Sequence, residues 1–441
     1  METPSSRTPV IAAPELQRRH IVAKAIVVGV VTGIVGAAFR LALDFAERHR
    51  DAVVRQHRGW EGLLVSSLAG ALAGGCGVWL VRRFAPHARG SGIPQVKAVL
   101  LGEAPLEWKR MLPVKFLGGL LAIGGGFALG REGPTIQMGA GLGGMLSERF
   151  RVRRGEGERR ALISAGAGAG LAAAFNAPLS GLVFVLEELH GNFSPILFVA
   201  AFLASVSSDI MARLLSGAVP VFHLTGVVAP TTAALPWAAL LGVAIGVLGV
   251  AFNRCILVAV TWRVRRPTWS AFGVGAGVGL LVGSLGWAVP GMVGSGAMFV
   301  QRAFIGDVAV SALPLFLLAR FALTVIGYGS GASGGIFAPL LVLGALAGLW
   351  FGAGVHALVA LSSLSPTVFC VLGMGAMFTA VVRAPLTGIV LMIELTGVYD
   401  FMLPLLVSCL AAYGVAEGLG NKPIYEALRE ISAASPEPAA R

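Results

Sequence analysis

Apolar stretches long enough to approach a bilayer span recur along this chain, at about 21–45, 62–81, 111–129, 161–186, 194–215, 233–260, 270–290, 309–328, 336–361 and 401–419. A span takes roughly 20 apolar residues, and no water-covered fold can hide so many such runs. Composition agrees: 13% of residues are charged and 56% hydrophobic, with a mean hydropathy of +0.81, against roughly 25% charged in an ordinary soluble domain. That balance excludes a disordered or nucleic-acid-binding chain and argues against a soluble enzyme. The net charge of +12 therefore reads as topology, because surplus Lys and Arg collect in the cytoplasmic loops of membrane proteins. Arg7, Arg18 and Arg19 run directly into the apolar stretch from Ile21 with no cleavage-type site, so the first span is expected to stay in the membrane. Cys76, Cys255, Cys370 and Cys409 lie in apolar stretches without C-x-x-C spacing and read as small buried hydrophobes. No metal or cofactor is expected.

Between the long runs lie apolar pieces broken by Gly and Pro, at 90–101, 130–147 and 366–396, in a chain with 61 glycines. Irregular backbone survives at membrane depth only around a cavity, and discontinuous helices are how polytopic transporters build one. The expectation is an all-α polytopic membrane protein with one transport domain over 21–430. Cytoplasmic tails 1–20 and 431–441 flank it, with no separate soluble domain.

The chain is also a duplication. Ala177-Pro178-Leu179-Ser180-Gly181-Leu182-Val183, ending at Glu187, recurs 207 residues later as Ala384-Pro385-Leu386-Thr387-Gly388-Ile389-Val390, ending at Glu394. At an offset of 205, Lys115-Phe116 matches Arg320-Phe321, Gly124 and Gly126 match Gly329 and Gly331, and Gly130…Pro134 matches Gly335…Pro339. The repeats cover about 21–217 and 233–425. The connection after the Gly130 segment carries Arg149, Arg151, Arg153, Arg154, Arg159 and Arg160, whereas its counterpart around 355–366 has no Lys or Arg. If basic loops stay cytoplasmic, one structural loop lies inside in the first repeat and outside in the second, so the repeats are inverted. Arg82, Arg83, Arg263, Arg265 and Arg266 mark further cytoplasmic ends, and Lys422 and Arg429 put the C-terminus there too. Inverted repeats predict a substrate site near the midplane, where broken helices from both halves meet.

Three breaks carry the chemistry: Gly90-Ser91-Gly92-Ile93-Pro94, Gly130-Arg131-Glu132-Gly133-Pro134 and Gly334-Gly335-Ile336-Phe337-Ala338-Pro339. Each ends in a proline of the kind that suits a helix's first turn. A helix N-terminus offers free N–H groups and the positive end of the dipole. Three such ends converging at the midplane would hold an anion without a full positive charge, and so release it quickly. Glu132 sits inside one break. A carboxylate at membrane depth is costly and marks function, and here it would compete with an anion for the same N–H groups: ionised, it occupies the site, and protonated, it swings away. Burial on one side, Arg131 and the helix end on the other, act on its proton affinity in opposite senses. Glu187 and Glu188 end an apolar helix. Glu187 and Glu394 occupy matching positions and read as structural, while Glu188, matched by Leu395, breaks the symmetry and reads as either a solvated helix end or a proton relay.

With these motifs the sequence resembles the CLC family of chloride channels and chloride/proton exchangers in its short bacterial form, from about Ile21 to Tyr425. The resemblance implies a homodimer with an anion pathway in each subunit, surrounded by lipid, and a fold of two inverted halves. It implies chloride held by the Ser91 and Tyr425 hydroxyls and the Ile336 and Phe337 amides, with Glu132 as external gate and Glu188 as internal proton-transfer glutamate. Ser91 and Tyr425 favour chloride over the fluoride and nitrate of altered relatives. No regulatory CBS pair is expected after Tyr425, and Gln95 stands where many prokaryotic members have an acidic residue.

The expectation is a proton-coupled chloride antiporter of a prokaryotic plasma membrane, the inner membrane in a Gram-negative cell, and not an enzyme. Its nearest rival is an uncoupled voltage- or pH-gated chloride channel, discriminated by Glu188. A rival of another class is an intramembrane serine protease, since Gly331-Ala332-Ser333-Gly334 spells G-x-S-G, with His356 as the one histidine deep in the following apolar segments.

Overall fold

The computed structural model describes residues 13–57, 59–151, 157–217, 232–304, 308–359 and 365–434, and these form seventeen α-helices and no named strand. In the first half they are α1 (Ala13–Gln56), α2 (Trp60–Phe84), α3 (Ile93–Leu101), α4 (Trp108–Gly124), α5 (Glu132–Arg149), α6 (Gly157–Phe175), α7 (Pro178–Phe184) and α8 (Pro195–Ser216). The second half holds α9 (Leu235–Val264), α10 (Ala271–Ala288), α11 (Ala297–Phe304), α12 (Leu313–Gly329), α13 (Phe337–Val359), α14 (Pro366–Val382), α15 (Pro385–Thr396), α16 (Met402–Gly418) and α17 (Ile424–Ala434). Among the described residues, eight helices are long and apolar enough to cross a membrane. The protein is a multi-span membrane protein of two inverted repeats. Arg153, Arg154 and most of both expected tails lie outside the described residues.

Two expectations change. Helix α1 begins at Ala13, well before the apolar run at Ile21, and its 44 residues reach about 66 Å at 1.5 Å per residue, so polar N-terminal residues simply continue the helix beyond the bilayer. The run 161–186 is not one span: it breaks between α6 and α7, at Asn176 (φ 55°) and Ala177. Its repeat partner breaks identically between α14 and α15, at Arg383 (φ 71°). Left-handed backbone ends one helix, and Pro178 or Pro385 starts the next.

Helices pack here through small residues, as membrane helices do when burial from water cannot drive association. Gly139 of α5 lies against Gly166 of α6, and Gly344 of α13 lies against Gly373 of α14, leaving no room for a Cβ at either crossing. The duplication thus extends from motif to packing. Gly74 of α2 meets the Gly275 carbonyl of α10 in the same manner.

The halves are joined by a reciprocal clamp. Glu187 accepts from the amides of Leu386 (3.0 Å) and Thr387 (2.7 Å) and from the Thr387 hydroxyl (2.7 Å), at the start of α15. Glu394 accepts from the amides of Leu179 (2.9 Å) and Ser180 (2.7 Å) and from the Ser180 hydroxyl (2.5 Å), at the start of α7. Each carboxylate satisfies orphan N–H groups and the positive dipole end of the other repeat's helix, which bears out the structural reading of both.

Candidate anion and proton site

The three glycine-rich breaks converge. Gly130 and Gly335 exchange backbone hydrogen bonds of 2.7 Å in both directions; the Gly90 amide donates to the Ala332 carbonyl (2.9 Å), and the Gly334 amide to the Gly90 carbonyl (3.0 Å). Lys115, fully buried, donates to the carbonyls of Ala88 (2.9 Å) and Gly90 (2.7 Å). The helices that follow, α3, α5 and α13, therefore start from one small region and point their free N–H groups into it. Pro94, Pro134 and Pro339 lie in their first turns.

Glycine is required where the breaks touch. A Cβ on Gly133 would lie 2.7 Å from the Ser91 Cα, and one on Gly335 would lie 2.9 Å from the Gly133 nitrogen. Gly90 and Gly92 hold φ of 59° and 83°, left-handed values that suit glycine. Ile93 begins α3 and is fully buried.

Within this knot Ser91 and Ile336 are completely buried, and the Phe337 ring packs between Phe175 and Phe378 with centroids 5.4 and 4.4 Å away. Among the described residues the Ser91 hydroxyl has only long contacts, 3.5 Å to the Tyr328 hydroxyl and 3.4 Å from the Ile93 amide. Tyr425, at the start of α17, is fully buried, and its hydroxyl has no hydrogen-bond partner among the described residues. Such a group costs free energy unless something polar meets it. It lies within electrostatic reach of Tyr328, Glu188 and Glu132.

Glu132 is 3% exposed and folds back over Gly130, where a Cβ would collide with its Oε2; the Ala338 amide of α13 donates to that oxygen at 3.4 Å. Arg131 points elsewhere, to Asp44 (3.6 Å) and the Ala174 carbonyl (3.3 Å). The carboxylate of one repeat thus rests on the helix N-terminus of the other.

Glu188, in a π-helical turn after α7, is 7% exposed and accepts from the Lys97 ammonium at 2.8 Å. It is therefore no solvated helix end. Lys97 also faces Glu426 at 3.9 Å; Arg429 bonds both Glu426 and Glu103. An alternating chain of charges thus joins α3, the end of α7 and α17. The protease reading fails on geometry: the Ser333 hydroxyl donates to the Lys115 carbonyl (3.2 Å), and His356 lies nineteen positions beyond the start of α13, about 28 Å along its axis.

The signature described as voltage gated chloride channel matches residues 72–417. The chain belongs to this chloride channel family. It is 41% identical over 414 residues to a Vibrio parahaemolyticus protein named H(+)/Cl(-) exchange transporter ClcA, covering 92% of this chain and 88% of that one. A solved slow cyanobacterial Cl-/H+ antiporter is similar at 38% identity with a TM-score of 0.90, covering 94% of this chain and 98% of that one. A eukaryotic CLC transporter is similar at 26% identity with a TM-score of 0.80, covering 96% and 75%.

For a CLC-family chain, sequence reading found the three breaks and both glutamates but missed Lys97, Tyr328 and a fourth break. Lys97 was visible as the lone charge in the apolar piece 93–101. The fourth break, Gly294-Ser295-Gly296 before α11, repeats Gly90-Ser91-Gly92 at an offset of 204, with φ of 70° and 80° at its glycines. The buried Arg320 donates to the Met292 and Gly294 carbonyls (both 3.0 Å) and the Ser295 carbonyl (3.1 Å). It thereby does for this break what its repeat partner Lys115 does for the first.

Proposed function

We propose that this protein is a secondary active chloride/proton antiporter of a prokaryotic plasma membrane, working as a homodimer with an anion pathway in each subunit. The observation that carries the reading is Glu132: a buried carboxylate seated on the α13 N-terminus, in the region where the starts of α3, α5 and α13 converge. Two negative species cannot share those N–H groups. Chloride is held by the Ser91 and Tyr425 hydroxyls and the Ile336 and Phe337 amides, donors that bear no full charge and so permit release. The unpartnered Tyr425 hydroxyl and the long contacts of Ser91 support this assignment.

The exchange cycle follows from that competition. Ionised, Glu132 blocks the outer end of the pathway; protonated, it loses its hold on the α13 amides and yields to chloride. Each return of the carboxylate to its seat expels an anion and gives up a proton. Glu188, buried beside Lys97 on the cytoplasmic side, passes protons to and from that interior. No bond to chloride forms or breaks. Glu132→Gln, shaped like the protonated state, is expected to carry chloride without moving protons in liposome flux assays. Proton coupling that persists in this variant would overturn the role of Glu132.

A further inference from the structure

A pair of grooves lies outside the transport pathway, on the exposed side of the second half. The first runs between α9, α10 and α12, with a volume of about 760 Å³, and its walls are chiefly apolar: Val258 and Trp262 of α9, Val274 and Gly277 of α10, Val325 and Ile326 of α12. The second, of about 590 Å³, follows the next stripe of α9, from Leu257 through Thr261 to Arg265 and Arg266. The two share Val258 and Trp262, which form a ridge between them.

The charge at these grooves has one sign. Arg254 lines the first, Arg265 and Arg266 line the second, and no Asp or Glu among the described residues lines either. Residues four apart share a helix face, so Arg265 stands one turn beyond Thr261 and Arg266 one turn beyond Trp262, at the end of α9 that its basic residues place in the cytoplasm. The Arg266 guanidinium lies over the Trp262 ring, 4.8 Å from its centroid, and Trp262 and Trp269 are 48% and 85% exposed. Exposed tryptophan beside arginine is what a membrane–water interface collects. From Arg254 to Arg265 is about 16 Å along α9, one leaflet of a hydrocarbon core ~30 Å thick.

Helix α10 carries two kinds of glycine. Gly275 and Gly279 face α2, where an added Cβ would lie 2.4 and 2.0 Å from the Gly74 and Gly70 carbonyl oxygens; at Gly273 and Gly277, which line the first groove, it would meet no atom within 4 Å. Helix packing demands the first pair. The second pair answers to no contact within the protein, and its effect is to keep the groove wide. We propose that an anionic phospholipid of the cytoplasmic leaflet seats here, with its phosphate on Arg265 and Arg266 and its two chains in the two grooves beside the Val258–Trp262 ridge. Guanidinium forks match phosphate oxygens, and basic residues at this level attract anionic lipid. Two apolar grooves meeting at one basic end match two chains meeting at one head group. With no acidic side chain to receive a choline or ethanolamine cation, the site selects negative head groups over zwitterionic ones.

The test uses the full chain. It is reconstituted into nanodiscs holding equal amounts of phosphatidylglycerol and phosphatidylcholine with the same chains, and the lipid that stays with the protein on release is counted by native mass spectrometry. One phosphatidylglycerol per subunit is expected in preference to phosphatidylcholine. Its retention should fall at least about fivefold in the double variant Arg265→Gln/Arg266→Gln, and as far in Gly277→Leu, whose added side chain enters the groove where no protein atom stands in its way. Gly354→Leu, at an exposed glycine of α13 with equally open surroundings, should retain the lipid as the unaltered protein does. Equal retention of both lipids, or phosphatidylglycerol undiminished in either groove variant, would overturn the site. Dimers that dissociate in Gly277→Leu would overturn it as well, by making the groove an interface between two copies of this chain.

Discussion

Removing charge from the reciprocal clamp should destabilise the fold by an amount the geometry allows to be worked out. Glu187 accepts three hydrogen bonds of 2.7–3.0 Å at the start of α15, and Glu394 accepts three of 2.5–2.9 Å at the start of α7. Bonds to a charged acceptor contribute about 1.5–3 kcal/mol each and neutral ones about 0.5–1.5, so Glu→Gln forfeits roughly 1 kcal/mol per bond. It also turns an amide NH2 toward a backbone donor. Both carboxylates are part-buried, and solvent screening reduces the sum to about 2 kcal/mol per site. Glu187→Gln and Glu394→Gln should each lower stability by about that amount in denaturant unfolding followed by tryptophan fluorescence. Because both clamps hold α7 against α15, the double variant should lose less than the two singles together, with a coupling of at least ~0.5 kcal/mol. Glu417→Gln, at a pair with Arg383 whose glutamate is 66% exposed, should lie within about 0.5 kcal/mol of wild type. Equal small losses in all three variants would refute the clamp.

Three further outcomes follow from the site. Ser91→Ala combined with Tyr425→Ala should weaken chloride binding by calorimetry, and unchanged affinity would show the pocket misplaced. Lys97→Met should slow chloride-driven proton movement in liposomes with little change in chloride affinity, and Lys97→Arg should restore it; unaltered coupling in Lys97→Met would remove Lys97 from the proton route. Arg429 bonds Glu426 and holds its carboxyl below the usual carboxylate range. The stability this contributes is present above the ordinary value of 4.5 and is lost as pH falls through the depressed one. Hydrogen exchange of α17 amides, corrected for intrinsic rates, should thus stay constant from neutral pH to about 4.5 and accelerate only below it; loosening nearer neutrality would contradict the assignment.

The duplication, the inverted halves and the three breaks were legible because each leaves a mark in residue order: matched glycines, a one-sided arginine cluster, a proline in a helix's first turn. The division of 161–186 went unread although Pro178 lies in the run, because the apolar character continues on both sides of it, and the left-handed backbone of Asn176 that ends α6 depends on the helices around it. Glu188 could be singled out by symmetry, but its environment could not be read, because the partner that decides it, Lys97, lies 91 positions away. The burial of Arg263 escaped for the opposite reason. Basic residues at helix ends are ordinary topology signals, and only three-dimensional placement shows that this one is 4% exposed, with its Nε donating to the Ser330 carbonyl.

The central claim is coupled exchange, and it is tested most directly by reconstituting the protein into liposomes with an imposed chloride gradient, with valinomycin and potassium holding the voltage at zero, and following pH. The account predicts that chloride moving down its gradient drives protons uphill. Chloride flux with no proton movement would contradict it and leave the protein an uncoupled channel.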